Sequence, residues 1–138
     1  KKDTILFSKD GSVGIAYKLE RDEDIITSGA LLHLTVRNTS EILPDYLTLV
    51  LNSTVVQMQA ERDSNGAIIQ HWKPSEIENV IVPVLDLDKQ KELSEMIQKS
   101  FVLRRQSKQL LEYAKQAVEM AIEQGEDAAL AWLKDKGE

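Results

Sequence analysis

The chain has 138 residues, 17 Lys and Arg against 23 Asp and Glu, two His and no Cys. A length near 140 fits one compact domain, or a small domain with an appended helix, and zero cysteines exclude a disulfide scaffold, a thiolate metal site and a cysteine nucleophile. The 42% hydrophobic share suits a packed core rather than general disorder, no apolar run is long enough for a membrane span, and a net charge of −6 argues against strong non-specific nucleic-acid binding. Residues 1–60, 61–85 and 86–138 each carry a net −2, so no basic domain hides in the average. The chain opens on Lys1-Lys2-Asp3 without Met or a basic-then-apolar leader, and the expectation is a fragment of something longer.

In chain order, Thr4–Phe7 is β-rich, and Ser8–Gly14 follows as a turn cluster whose Gly11 and Gly14 tolerate positive φ. Ile15–Leu19 reads as the return strand, Arg21–Asp24 as an exposed acidic turn, and Leu31–Val36 as a further strand with His33 and Thr35 on one face. Pro44 starts a helix, with Asp45 placing negative charge in its first turn. Asn52-Ser53 is a break and a new N-cap, and Thr54–Ala60 is a second short helix. Ser64-Asn65-Gly66 is a turn. Ala67–Trp72 reads as a strand, Pro74–Ile77 as a turn or one helical turn, and Val80–Val84 as a buried or edge strand that Pro83 helps to end.

The pattern changes near Asp88. Residues 88–124 contain neither Gly nor Pro, and Leu93, Ile97, Phe101, Leu111, Ala114, Val118 and Ile122 recur at helical spacing except across the polar stretch 104–108. This predicts one long amphipathic helix stopped by Gly125, about 55 Å at 1.5 Å per residue. A domain of this size does not cover such a stripe from end to end, so the stripe needs a helical partner from the same subunit or from another chain. A short helix over 126–136 follows, with Leu130, Trp132 and Leu133 as its apolar residues. The fold class is α+β: a small mixed β-rich domain with short helices, then a coiled-coil-type helix.

The catalytic inventory is thin. His33 and His71 lack ligand spacing to any carboxylate cluster, and no metal site is expected. His33 reads as a surface or hydrogen-bonded residue; His71 beside Trp72 reads either as structural or as a ligand-facing pair in a loop. Asp22-Glu23-Asp24 lacks the spaced oxygens of a calcium loop, and Asp86 and Asp88 suit helix entry better than an acid–base pair. Gly11-Ser12-Val13-Gly14 has no Lys-Ser/Thr sequel and is not a P-loop; it is a hairpin turn, or a loop that approaches another molecule's backbone, with Lys9 and Ser12 beside it as phosphate donors. Arg104-Arg105 with Lys108 is the densest basic patch, a solvated helix face or a contact to an acid or phosphate.

Four stretches in this order and spacing resemble the specificity (S) subunits of type I restriction–modification systems. They are Ile5–Gly14, Ile26–Leu34, Leu43–Leu47 with Leu51-Asn52-Ser53, and Ile77–Leu85 leading to Gln90-Lys91, before the long helix. The resemblance implies a non-catalytic subunit without a cofactor. Residues 1–85 are then the later part of a target recognition domain that reads one half of a split DNA site, 88–124 a spacer and dimerisation helix, and 126–136 a short C-terminal helix. The helix is expected to pair with a second spacer helix, from the same subunit or a homodimer, and to dock the methyltransferase subunits that bind S-adenosylmethionine. The cellular place implied is the cytoplasm. A complete family member has two recognition domains and two spacer helices, whereas one partial set is present here.

Combining residues and resemblance, the candidate DNA-facing residues are Lys9, Ser12, Asn65, His71, Trp72 and Lys73, in or next to turns. The candidate interhelical face is Leu93, Ile97, Phe101, Leu111, Ala114, Val118 and Ile122. The competing reading is a structural coiled-coil interaction domain with no nucleic-acid role, which the acidic charge favours.

Overall fold

A computed structural model describes residues 1–66 and 68–136. The chain divides between Glu95 and Met96 into two compact units.

The N-terminal unit is built on a three-stranded antiparallel sheet. β1 (Ile5–Ser8) lies between β2 (Ala16–Lys18) and β3 (Leu31–Leu34), with Phe7 opposite Ala16 on one side and Leu32 on the other. Ile5 and Phe7, two residues apart, point to one face of the pleat and are fully buried. Against that face lie α1 (Pro44–Leu51) and α2 (Thr54–Asp63). They contribute Tyr46 with Val50 and Leu51, four and five residues on, then Val56 and Ala60, four apart, as one stripe of each helix does. Trp72 closes the core, its ring centroid 5.7 Å from that of Phe7.

Pro44 is the first residue of α1, as its fixed φ favours. Ser53 is the N-cap of α2 by position, but its side chain makes no cap hydrogen bond. Asp45, expected to act on the helix dipole, also pairs with Lys18 of β2 at 3.0 Å. Lys18 is almost fully buried and reaches Asp3 at 3.0 Å as well, so its charge is compensated from two sides. Gly14 takes φ +77°, a conformation that strains any residue with a Cβ, so the turn calls for glycine; a Cβ there would also meet the flexible end of Gln57 at 2.8 Å and Ala60 Cβ at 3.3 Å.

Two expected strands do not form. Among the described residues of 67–72 only His71 makes β-bridges, to Asp10 and to Asn65, while Ile68 and Ile69 are exposed; Ala67 lies outside the described residues. Val80–Val84 belongs to no sheet. Gln59 supplies what a neighbouring strand would have: its amide donates to the Ile81 carbonyl and accepts from the Ile81 N–H, both at 2.9 Å. Pro83 has no N–H to offer a ladder, and its carbonyl accepts from the Tyr46 hydroxyl. Neither run is buried as a strand core would be: Ile81 and Val84 are exposed, as Ile68 and Ile69 are, so a short apolar run by itself signals neither pairing nor burial.

After the single turn α3 (Pro74–Ile77), α4 runs from Leu87 to Gln124 and α5 from Glu126 to Lys136, separated by Gly125 at φ +97°. The start of α4 belongs to the N-terminal unit. There Gln90 is fully buried, its amide bonded to Leu43 N–H (2.9 Å), Glu41 C=O (2.9 Å) and Leu85 C=O (2.7 Å). In the C-terminal unit α5 folds back on α4: Tyr113 and Trp132 meet edge to face at 5.7 Å, and Ala117 and Ala129 are buried. Among the described residues no helix is long and apolar enough to cross a membrane.

Candidate functional site

The β1–β2 loop and the segment 65–73 are stitched together although some sixty residues separate them. Trp72 N–H donates to Lys9 C=O at 2.7 Å, and Gly11 N–H donates to Gln70 C=O at 2.9 Å. Asn65 and His71 exchange backbone bonds at 3.0 and 2.8 Å. These contacts converge on Asp10. One carboxylate oxygen lies 2.7 Å from His71 Nδ1, and the other accepts from Lys9 Nζ at 2.6 Å. The bond from Lys9, and secondly that from His71, hold the Asp10 carboxyl below the usual carboxylate range.

Chemically the cluster presents an ammonium and an imidazole around one carboxylate. Asp10 fixes the His71 ring through Nδ1, which leaves Nε2 directed away from that bond as donor or acceptor. Among the described residues no group of three or more His, Cys, Asp or Glu side chains is placed to hold a metal ion.

The structure thus brings Lys9, Asn65 and His71 together. Lys9 is engaged by Asp10 and mostly covered, so its charge is largely offset; the His71 side chain is 60% exposed. Ser12 is exposed on the same loop, where its carbonyl accepts from the Ser8 hydroxyl. Lys73 follows directly as the N-cap residue of α3, exposed, with Nζ 3.6 Å from Glu76. Trp72 is a correction: at 1% exposure its ring belongs to the core and is not available to a ligand. An aromatic in a turn-rich segment looks like a stacking group in sequence, but the largest apolar side chain of a small domain is also the one whose burial contributes most. Asp10 is the residue that sequence reasoning missed. Its only local signal is the Lys-Asp-Gly turn, and nothing in the chain pairs it with a histidine 61 positions away.

The interhelical candidates divide. Leu93 packs, half-buried, on the core of the N-terminal unit and so is not part of a free stripe. Ile97 and Phe101 are half-buried, while Leu111, Ala114, Val118 and Ile122 are exposed, Ile122 at 80%. Met96, Leu103 and Leu110 add exposed apolar surface to α4 that the seven-residue reading omitted.

No family model matches the sequence, and no curated protein matches it in sequence. Among solved structures, the crystal structure of a type I restriction–modification system S subunit from M. genitalium is similar, with a TM-score of 0.65 at 15% identity. The fold is shared with part of that subunit. The similarity covers 88% of this chain and 31% of that one, so the chain spans under a third of its length.

Proposed function

We propose that the chain is a non-catalytic DNA-recognition module of a type I restriction–modification complex. In this reading residues 1–85 are part of a target recognition domain that reads one half of a bipartite site. Residues 88–124 are a spacer helix that pairs with a second such helix and docks methyltransferase subunits, and 126–136 are a short terminal helix. The observation that carries it is the likeness to an S subunit over 88% of the chain, a share that takes in both the sheet-based unit and most of the helical one. The exposed loop side chains Ser12, Asn65, His71 and Lys73 are the DNA-facing candidates, with Lys9 behind them.

The −6 charge predicts weak binding by this chain alone, because few phosphates are neutralised. Fluorescence anisotropy with duplex DNA, with and without methyltransferase subunits and at low and moderate salt, tests this. Binding that strengthens with the subunits is expected. Lys73→Ala should then weaken it on all sequences and reduce the salt slope by about 1. No binding under any of these conditions leaves the structural interaction domain as the reading, which the acidic charge already favours.

A further inference from the structure

Asp10 and His71 face each other across an antiparallel bridge, the arrangement that sets two side chains on one side of a ribbon. His71 is fixed in both backbone and ring. Its backbone exchanges bonds with Asn65 at 3.0 and 2.8 Å, its neighbours Gln70 and Trp72 are bonded to Gly11 and Lys9, and Trp72 is anchored in the core. The ring is held by the 2.7 Å bond from Nδ1 to Asp10, whose other oxygen is held by Lys9 at 2.6 Å. Yet the His71 side chain stays 60% exposed. A surface ion pair of this kind adds little to stability. An exposed ring that is ordered before it meets a ligand, by contrast, loses little freedom on binding.

The same bond decides which nitrogen carries the proton. Lys9, and secondly His71, hold the Asp10 carboxyl below the usual carboxylate range, so at neutral pH it is ionised and only accepts. Nδ1 is therefore the N–H, and in the neutral ring Nε2 is a bare lone pair. That lone pair finds no partner on a DNA backbone, where the phosphate oxygens are themselves acceptors. Lys73, exposed two residues on, only donates and suits the phosphates. On the base edges of the major groove the donors are amino groups, N6 of adenine and N4 of cytosine. The paired segments that bear His71 have the width of a two-stranded ribbon, which the major groove admits.

We propose that His71 reads a base: its Nε2 accepts a hydrogen bond from the exocyclic amino group of one adenine or cytosine in the major groove, and Asp10 is the positioning residue that keeps the lone pair on that nitrogen. This assignment rests on the DNA-recognition reading and gives one of its residues a ligand.

The test is selection from a pool of random duplex DNA by the chain with its methyltransferase subunits, at pH 8 to favour the neutral ring. His71→Ala is expected to lose the preference at one base pair and to bind the best duplex about tenfold more weakly, with the other positions unchanged. In that duplex the amino group is then removed, by purine in place of adenine or 2-pyrimidinone in place of cytosine. The wild-type chain should lose about tenfold in affinity and the His71→Ala chain nothing. Asp10→Asn keeps a hydrogen bond to the ring but, because a carboxamide also donates, lets the proton move to Nε2. It should lose the sensitivity to the amino group with little change in Tm and with affinity for random DNA no lower. A merely structural Asp10 would lower Tm and leave that sensitivity intact, which overturns its positioning role. If the His71-dependent pair is insensitive to the amino group and sensitive to replacement of a purine N7 by carbon, Nε2 donates and the proposal is overturned. A selected sequence that His71→Ala does not change overturns it too, and leaves DNA recognition standing. A pool from which nothing is selected overturns the recognition reading itself, and this assignment with it.

Discussion

Lys18 shows how one residue can carry charge inside a small core. Burial by itself lowers its pKa, but hydrogen bonds to Asp3 and Asp45 more than reverse that, and the net shift is upward. A raised pKa in the folded state means that the contribution to stability is complete below the unfolded value of 10.5 and is lost as pH rises through the folded value. Thermal unfolding should therefore show a Lys18-dependent fall in Tm only above about pH 10.5. Lys18→Met should abolish that dependence and, by leaving the mostly buried Asp45 without its cation, cost about 3 kcal/mol at neutral pH. Asp10 has the opposite sign: its lowered pKa contributes above 3.8 and is lost as the pH falls below that value. Lys18 sits in an alternating strand pattern that marks it as half-buried at most, so its burial was not legible. The approach of Asp3 and of Asp45 from outside its strand makes the site tolerable.

At the scale of elements, side-chain amides do the work of missing strands. Asn52 pairs with both the N–H (3.0 Å) and the C=O (2.8 Å) of Ala16, Gln59 pairs with Ile81, and Gln90 ties the loop before α1 to the start of α4. Gln90→Leu keeps the volume but leaves Leu43 N–H and the Glu41 and Leu85 carbonyls without their partner. It should destabilise the N-terminal unit by about 3 kcal/mol in urea melts, at about one per orphaned group, the low end of the range because these bonds are part-buried. An unchanged midpoint would show that water replaces the amide at no cost. The starts of α1 and α4 and the stop at Gly125 were legible, because Pro, the unbroken 88–124 stretch and a C-terminal Gly act through local backbone sterics. The failed strand at Val80–Val84 was not, because an extended apolar run is compatible with any partner that satisfies its backbone, a glutamine included.

For the whole molecule the apolar surface of α4 is the decisive quantity. Leu111 is 59% exposed and Ile122 80%, so the stripe beyond the N-terminal unit is not consumed by α5. Phe101→Glu with Leu111→Glu should reduce either self-association or methyltransferase-subunit binding by at least tenfold, without loss of helicity; no change in either would remove α4 as an interface. Such a substitution places a charge where an apolar contact is expected, which costs several kcal/mol if the face is covered and almost nothing if it stays wet.

By itself the sequence determined the order and kind of most elements, the α+β class and the uncovered helix, because these follow from local sterics and from a hydrophobic period that recurs on both sides of the polar stretch 104–108. Only the tertiary structure decided that Trp72 belongs to the core, that Asp10 joins Lys9 to His71, and that Leu93 serves the N-terminal unit rather than the stripe. Those outcomes depend on contacts between residues far apart in the chain, and their energies are set by which surfaces lose water together, a quantity that no local pattern encodes.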